Sequence, residues 1–308
     1  MISVKHLSKS FGQFEAVKDL SFDVNPGDIV GFLGPNGAGK STTMKMLTGF
    51  LSPSSGHIEI NGLALEKHLK AIQSQIGYLP EGAPAYGDMT VYQFLLFIAN
   101  VRKLKGDARK QRLAKVIEQT QLGEVLDKPI EQLSKGFKRR VGLAQAIIHD
   151  PQILILDEPT DGLDPNQKHQ VRQLIQTLAL DKIVIVSTHI LEEVAAVCNR
   201  VMIIADGEMR FNDTPMALQQ TSRYFNAVTI TLSYAADISG LAEVEGVEEM
   251  EVDRLTGAVT LFPEPGVAIL PAISEHIQHR RLPVDSIHVE TGRLDEIFRT
   301  ITSKESVE

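Results

Sequence analysis

The chain has 308 residues, 43% hydrophobic and 23% charged, the balance of a folded globular protein and not of a disordered or fibrous one. Its net charge of −8 lacks the basic excess needed to grip a phosphate backbone, so no nucleic acid is expected as a partner. The one cysteine, Cys198, excludes an internal disulfide.

The length suits one large domain followed by a small one. Met1-Ile2-Ser3-Val4-Lys5 reads as a strand and not as a secretion signal. No run of about 18 apolar residues offers a membrane span, so a membrane role has to come through a partner. From residue 2 to 33, apolar and polar positions alternate between turn signals at Phe11-Gly12 and Asn25-Pro26-Gly27, predicting a series of strands. The last, Ile29 to Leu33, runs into a Gly-rich loop, and a helix is predicted from Ser41 to Leu51. Residues 86 to 148 turn helical, and the stretch Met89 to Ala99 is apolar on nearly every side, so it must be covered. Ile153 to Leu156 and Ile183 to Val186 read as buried parallel strands with crossover helices. A hairpin is predicted from Val201 to Asn212, turning at Asp206-Gly207.

Pro215 marks a helix start, and a second unit is expected over residues 221–308. Its strands are expected at Val228 to Leu232, at Met250 to Asp253 and Ala258 to Phe262 around Thr256-Gly257, and at Val284 to Val289, with a helix near Ile269 to Arg280. That β-α-β-β-α-β order predicts a ferredoxin-like α+β fold.

The loop Gly34-Pro35-Asn36-Gly37-Ala38-Gly39-Lys40-Ser41 has the spacing of a phosphate-binding P-loop. Glycines let backbone N–H groups approach phosphate oxygens, and the helix behind points its positive end at them. Lys40 is expected on the β and γ phosphates of a nucleotide, Ser41 on Mg²⁺, and Thr42 beside the phosphates. Hydrolysis also needs carboxylates for the metal and for water. Ile153-Leu154-Ile155-Leu156-Asp157-Glu158 supplies them: Asp157 as the metal ligand, Glu158 as the catalytic base.

This ordered set resembles the nucleotide-binding domain of ABC transporters over residues 1–220, with a helical subdomain at about 86–148. The resemblance implies an α/β P-loop fold: a mixed central sheet, an antiparallel β subdomain and a helical subdomain. Leu133-Ser134-Lys135-Gly136-Phe137 is similar to the signature motif, in which Ser134, Lys135 and Gly136 would meet ATP held by a second copy. Asp164 of Asp161-Gly162-Leu163-Asp164 matches the D-loop, and His189 of Ser187-Thr188-His189 the switch histidine, a second catalytic residue. Phe11 falls where the family stacks an aromatic ring on adenine. Read without the family, Ser134 is a helix cap, His189 a structural histidine and Phe11 a core residue.

Three positions depart from the usual pattern. Glu81, in Ile76-Gly77-Tyr78-Leu79-Pro80-Glu81, stands where the family's Q-loop carries glutamine, so it is expected on ATP and Mg²⁺ as a carboxylate. Lys135 and Phe137 replace glycine and glutamine. These departures, and the ending Leu294-Asp295-Glu296-Ile297-Phe298, look like ABC-2 type exporters of the daunorubicin-resistance and gliding-motility branch. The resemblance implies an ATPase that works as a homodimer with an integral membrane permease, on the cytoplasmic face of the membrane. The apolar helical segment after the Q-loop, with Tyr86, Met89 and Phe94 nearby, is expected either to form the groove for that permease or to belong to the core. The competing readings are a soluble ABC ATPase and a non-hydrolysing regulatory subunit, the latter disfavoured by Glu158 with His189.

Overall fold

In the computed structural model, which describes residues 1–83 and 85–303, β1 (Ile2–Phe11) pairs antiparallel with β2 (Phe14–Val24). Ile2, Val4 and Leu7 are buried. A register shift between Val4 and Leu7, with His6 at φ +50°, lets the strand carry one extra residue and keep its apolar face inward. β3 (Ile29–Leu33) is buried at every position, as a strand covered on both faces must be.

α1 (Lys40–Leu47) is shorter than the helix expected to reach Leu51. Gly49, at φ +68°, ends it in a left-handed turn, and Pro53 stands beyond. β4 (Ser55–Ile60) and β5 (Leu63–Ala64) complete an antiparallel sheet in the order β2-β1-β4-β5. α2 (Leu65–Gln75) then leads into β6 (Ile76–Leu79).

The helical segment holds α3 (Val91–Val101), α4 (Gly106–Gln119) and α5 (Lys135–Ile147). α3 starts at a capping box, in which Gln93 N donates to Thr90 Oγ1 and Thr90 N to Gln93 Oε1. Phe94 is core, whereas Tyr92 and Phe97 of the same helix reach the surface.

β7 (Ile153–Asp157), α6 (Pro165–Leu178), β8 (Ile183–Thr188), α7 (Leu191–Val197), β9 (Arg200–Ala205) and β10 (Glu208–Asp213) follow. Their sheet runs β10-β9-β3-β8-β7-β6, with only β10 antiparallel to its neighbour. β7 and β8, the two apolar runs, are buried throughout. The β9–β10 hairpin turns at Asp206 (φ +51°) and Gly207 (φ +82°), the paired left-handed residues that match the twist of a hairpin. Leu33 lies beside Thr188 and Asp157 beside Ser187, so the carboxyl ends of β3, β8 and β7 converge where α/β sheets bind ligands.

His149, just after α5, donates from Nε2 to the Ile76 carbonyl at 3.1 Å, while its Nδ1 is buried with no partner among the described residues. Burial pushes its pKa down to about 4, with Arg102 as the next cause. The unfolded chain therefore binds a proton near pH 6.5 that the folded chain refuses until about 4, so stability rises with pH across that window. Between pH 6.5 and 4 the fold should lose about 3 kcal/mol from this group, and His149→Gln should flatten that part of the denaturation profile.

A separate unit begins at Met216. After α8 (Pro215–Gln220) come β11 (Phe225–Leu232), a 3-10 turn at Ser239–Glu243, β12 (Val247–Val252), β13 (Val259–Pro263), α9 (Leu270–Arg280), β14 (Val284–Thr291) and α10 (Leu294–Thr302). The sheet order β12-β13-β11-β14, antiparallel throughout, is that of a ferredoxin-like unit whose first crossover has shrunk to the 3-10 turn. Val228, Ile230, Val259 and Leu261 of the sheet pack on Ile273 and Ile277 of α9.

Candidate nucleotide site

The Gly-rich loop leaves β3 under tight steric limits. A Cβ on Gly34 would collide with the Ile204 carbonyl, and one on Gly39, at φ +104°, would lie 2.5 Å from the Ala16 carbonyl. Only glycine fits either place. Lys40 is 7% exposed, and its ammonium donates to the carbonyls of Gly34 (2.7 Å) and Pro35 (3.1 Å). Burial lowers its pKa, against the attraction of Glu158, Asp157 and Glu81.

Asn36, Gly37, Gly39, Lys40, Ser41 and Thr42 line one cleft of about 410 Å³, together with Phe11, Glu81 and Glu158. Gly34, Pro35 and Ala38 belong to the loop without lining that cleft; Ala38 is buried. Phe11 is half exposed, so it is not the core residue that a strand phenylalanine would otherwise be. Phe14, its partner across the hairpin, lines the same cleft and is 63% exposed. Sequence reasoning passed over Phe14, because a strand phenylalanine next to a turn carries no signal of a ligand.

At the strand ends, Asp157 is almost wholly buried. Its Oδ1 accepts from the Ser187 hydroxyl, and its Oδ2 is buried without a partner among the described residues. Glu158 adopts φ +51°, a left-handed conformation that strains a glutamate backbone. Glu158 N donates to Ser187 O (3.0 Å), Glu158 O accepts from Asp161 N (3.1 Å), and Oε1 lies 2.9 Å from His189 Nδ1. The structure thus pairs the two residues expected to be catalytic.

Ser134, Lys135, Gly136 and Asp164 do not line this cleft. Ser134 caps α5, accepting from Phe137 N at 3.3 Å, and Asp164 caps α6, accepting from Gln167 N at 2.9 Å. The two helix starts abut: a Cβ on Gly136 would lie 2.6 Å from Gln167 Oε1, and one on Gly162 3.3 Å from Lys135. Two further features escaped sequence reasoning. Glu193, 6% exposed, accepts from Thr160 Oγ1 and pairs with Lys168 Nζ at 2.9 Å, tying α7 and α6 to the loop after β7. Arg139 of α5 reaches the backbone of Pro80, Asp157 and Glu158.

Residues 17–161 match the family model described as ABC transporter. YxlF of Bacillus subtilis, an uncharacterized ABC transporter ATP-binding protein, is 39% identical over 79% of this chain and 80% of its own length. The chain belongs to the ABC transporter family. This ABC ATP-binding chain is also 31% identical to the linearmycin resistance ATP-binding protein LnrL of Bacillus subtilis, across 99% of both chains. A solved ATP-binding subunit of an ABC transporter superposes with a TM-score of 0.67 at 30% identity, covering 71% of this chain and 92% of that one. As an ABC ATP-binding subunit it is an ATPase of the P-loop class, with an α/β fold and mixed central sheet.

Proposed function

We propose that the chain hydrolyses ATP as a pair of identical copies on the cytoplasmic face of a membrane, driving export through a separate ABC-2 type permease. The observation that carries this reading is the convergence of Lys40 and Glu158 on one cleft, with His189 hydrogen-bonded to Glu158 and Asp157 buried at its strand end.

Lys40 and the loop amides hold the β and γ phosphates, and Phe11 stacks on adenine with Phe14 beside it. Glu158 takes a proton from water as the water oxygen attacks the γ phosphorus. The bond to the bridging oxygen breaks, and ADP leaves with that electron pair. His189, hydrogen-bonded to Glu158, orients the base and reaches toward the γ phosphate. Mg²⁺ fits the donor set: the unpartnered Asp157 Oδ2, the Ser41 hydroxyl and the Glu81 carboxylate are the hard oxygen ligands it prefers. When bound, it neutralises phosphate charge.

Ser134 and Gly136 stand outside their own cleft, which supports their acting on ATP held by a second copy, across the seam where Asp164 would also lie. For the permease, the support is an apolar surface. Among the described residues no helix is long and apolar enough to cross a membrane. Tyr86 is 55% exposed and packs edge-on against Phe97 at 5.7 Å. Nearby Phe50, Ile98 and Val101 border a recess of about 360 Å³ together with the half-buried Tyr78, whose phenol desolvation pushes up to about 12. Phe94, expected in the groove or in the core, lies beneath this surface as core. The whole-length similarity to LnrL supports an exporter of resistance type.

A single cysteine placed at Tyr86 or Phe97, in a Cys198→Ser background, should crosslink to a co-expressed multispanning permease in membranes and lose that crosslink when Phe50 is made charged. Crosslinking equally strong from an exposed position of α4, such as Lys110, would remove the surface from the reading.

A further inference from the structure

Arg139 is a buried cation that the phosphate chemistry does not account for. Arg139 sits in α5, five residues after Ser134, and is 5% exposed. Its guanidinium accepts nothing; it can only donate, and it donates to three main-chain carbonyls in two separate segments. Nη1 reaches Pro80 O at 3.0 Å, and Nη2 reaches both Asp157 O and Glu158 O. Its Nε is buried with no partner among the described residues. Burial pulls its pKa down, opposed by Asp157, Asp161, Glu158 and Glu81. Taking a guanidinium out of water to meet neutral carbonyls is a costly way to stabilise a fold, whereas a planar fork with fixed donors is suited to hold several groups in one geometry.

What it holds is the catalytic corner. Glu158 is in the left-handed region, where a glutamate does not rest unaided. The Ser187 carbonyl takes its N–H, and Asp161 N and Arg139 share its carbonyl. The same guanidinium fixes Pro80, the residue before Glu81. The N-terminal start of the same helix carries Gly136 and, roughly 7 Å from Arg139 along the axis, Ser134.

We propose that Arg139 is a positioning residue that links the signature helix to the base, so that seating of Ser134 and Gly136 on the second copy's ATP aligns Glu158 and Glu81 in the first. The inference rests on the reading of Glu158 as the base and of Ser134 as acting in trans. Arg139 does not line the cleft, and it acts only through the backbone of its neighbours.

The test is a double-mutant cycle on the purified chain with ATP and Mg²⁺. Arg139→Lys keeps the charge and loses the fork; Arg139→Gln loses the charge and keeps a short donor. Each should lower kcat on the order of tenfold to a hundredfold, while affinity for a fluorescent ATP analogue stays within about twofold of the unaltered chain. Placed on Glu158→Gln, either change should cause little further loss, because the group it aligns is already gone. Multiplicative losses would overturn the inference while leaving Glu158 as the base. Normal turnover in Glu158→Gln alone would instead overturn the site reading on which it rests. A lowered melting point with unchanged kcat, or failure of both Arg139 variants to fold, would make Arg139 a structural strut and refute its coupling role.

Discussion

Glu158→Gln will bind ATP and barely hydrolyse it. The substitution keeps the shape of the side chain but removes the proton acceptor, a change that costs on the order of a hundredfold to ten-thousandfold when the residue is a general base. Binding should be spared, because the loop amides and Lys40 are untouched. The backbone of Glu158 is held by Ser187, Asp161 and Arg139, so the strained corner stays in place without the carboxylate. With hydrolysis stalled, ATP should keep two copies together, and size-exclusion chromatography with ATP and Mg²⁺ should show a dimer that falls apart without nucleotide. Wild-type turnover in this variant would dismiss Glu158 as the base.

The second large effect concerns Lys40 and Ser134, which should fail for different reasons. Lys40→Ala removes the cation facing Glu158, Asp157 and Glu81. The phosphates then meet three carboxylates uncompensated, and ATP affinity should fall about a hundredfold, close to 3 kcal/mol. Ser134→Arg leaves the cleft intact, since Ser134 does not line it. It should bind ATP normally and hydrolyse almost none, because a bulky cation at the start of α5 keeps that chain from closing on the ATP its partner copy holds. A fluorescent ATP analogue and a phosphate-release assay separate the two defects.

The loop was legible in the sequence because glycine spacing records backbone constraints: Gly34 and Gly39 are fixed by collisions that any side chain would suffer. Asp157 and Glu158 were readable only in context: an apolar strand that ends in two acids is commonly a solvated strand end, and it is the P-loop about 120 residues earlier and Pro159-Thr160 behind it that single this one out. The order of the second unit was legible from its turns, down to Gly257 in the left-handed region. Other features were not. α3 is apolar on nearly every side, so periodicity could not separate Phe94, which is core, from Phe97, which is surface. The end of α1 was overrun because Gly49 within Leu47-Thr48-Gly49-Phe50 was read as helix, although it supplies the terminating turn. Arg139 lies in the run Lys138-Arg139-Arg140, which reads as a solvated basic face. Only the fold reveals that Arg139 and Arg140 are buried, the latter on Gln121 and Gln170.

The Glu193 cluster was hidden for a related reason. A glutamate in the first turn of a helix, as in Leu191-Glu192-Glu193, is expected to face water and favour the helix dipole. Here Glu192 can play that part, while Glu193 turns inward to Thr160 and Lys168 and joins the loop after β7 to the helix after His189. Contacts of this kind depend on which helices pack together, and a single sequence does not record that.

The central claim is that each ATP is held by Lys40 of one copy and closed by Ser134 of the other. Phosphate release from an equal mixture of Lys40→Ala and Ser134→Arg chains tests it directly. Each variant alone should be nearly inactive. Half of all pairs should be mixed, and each mixed pair holds one site with both an intact Lys40 and an intact Ser134, restoring about a quarter of wild-type turnover. A mixture no more active than the sum of its two inactive parts would contradict the claim.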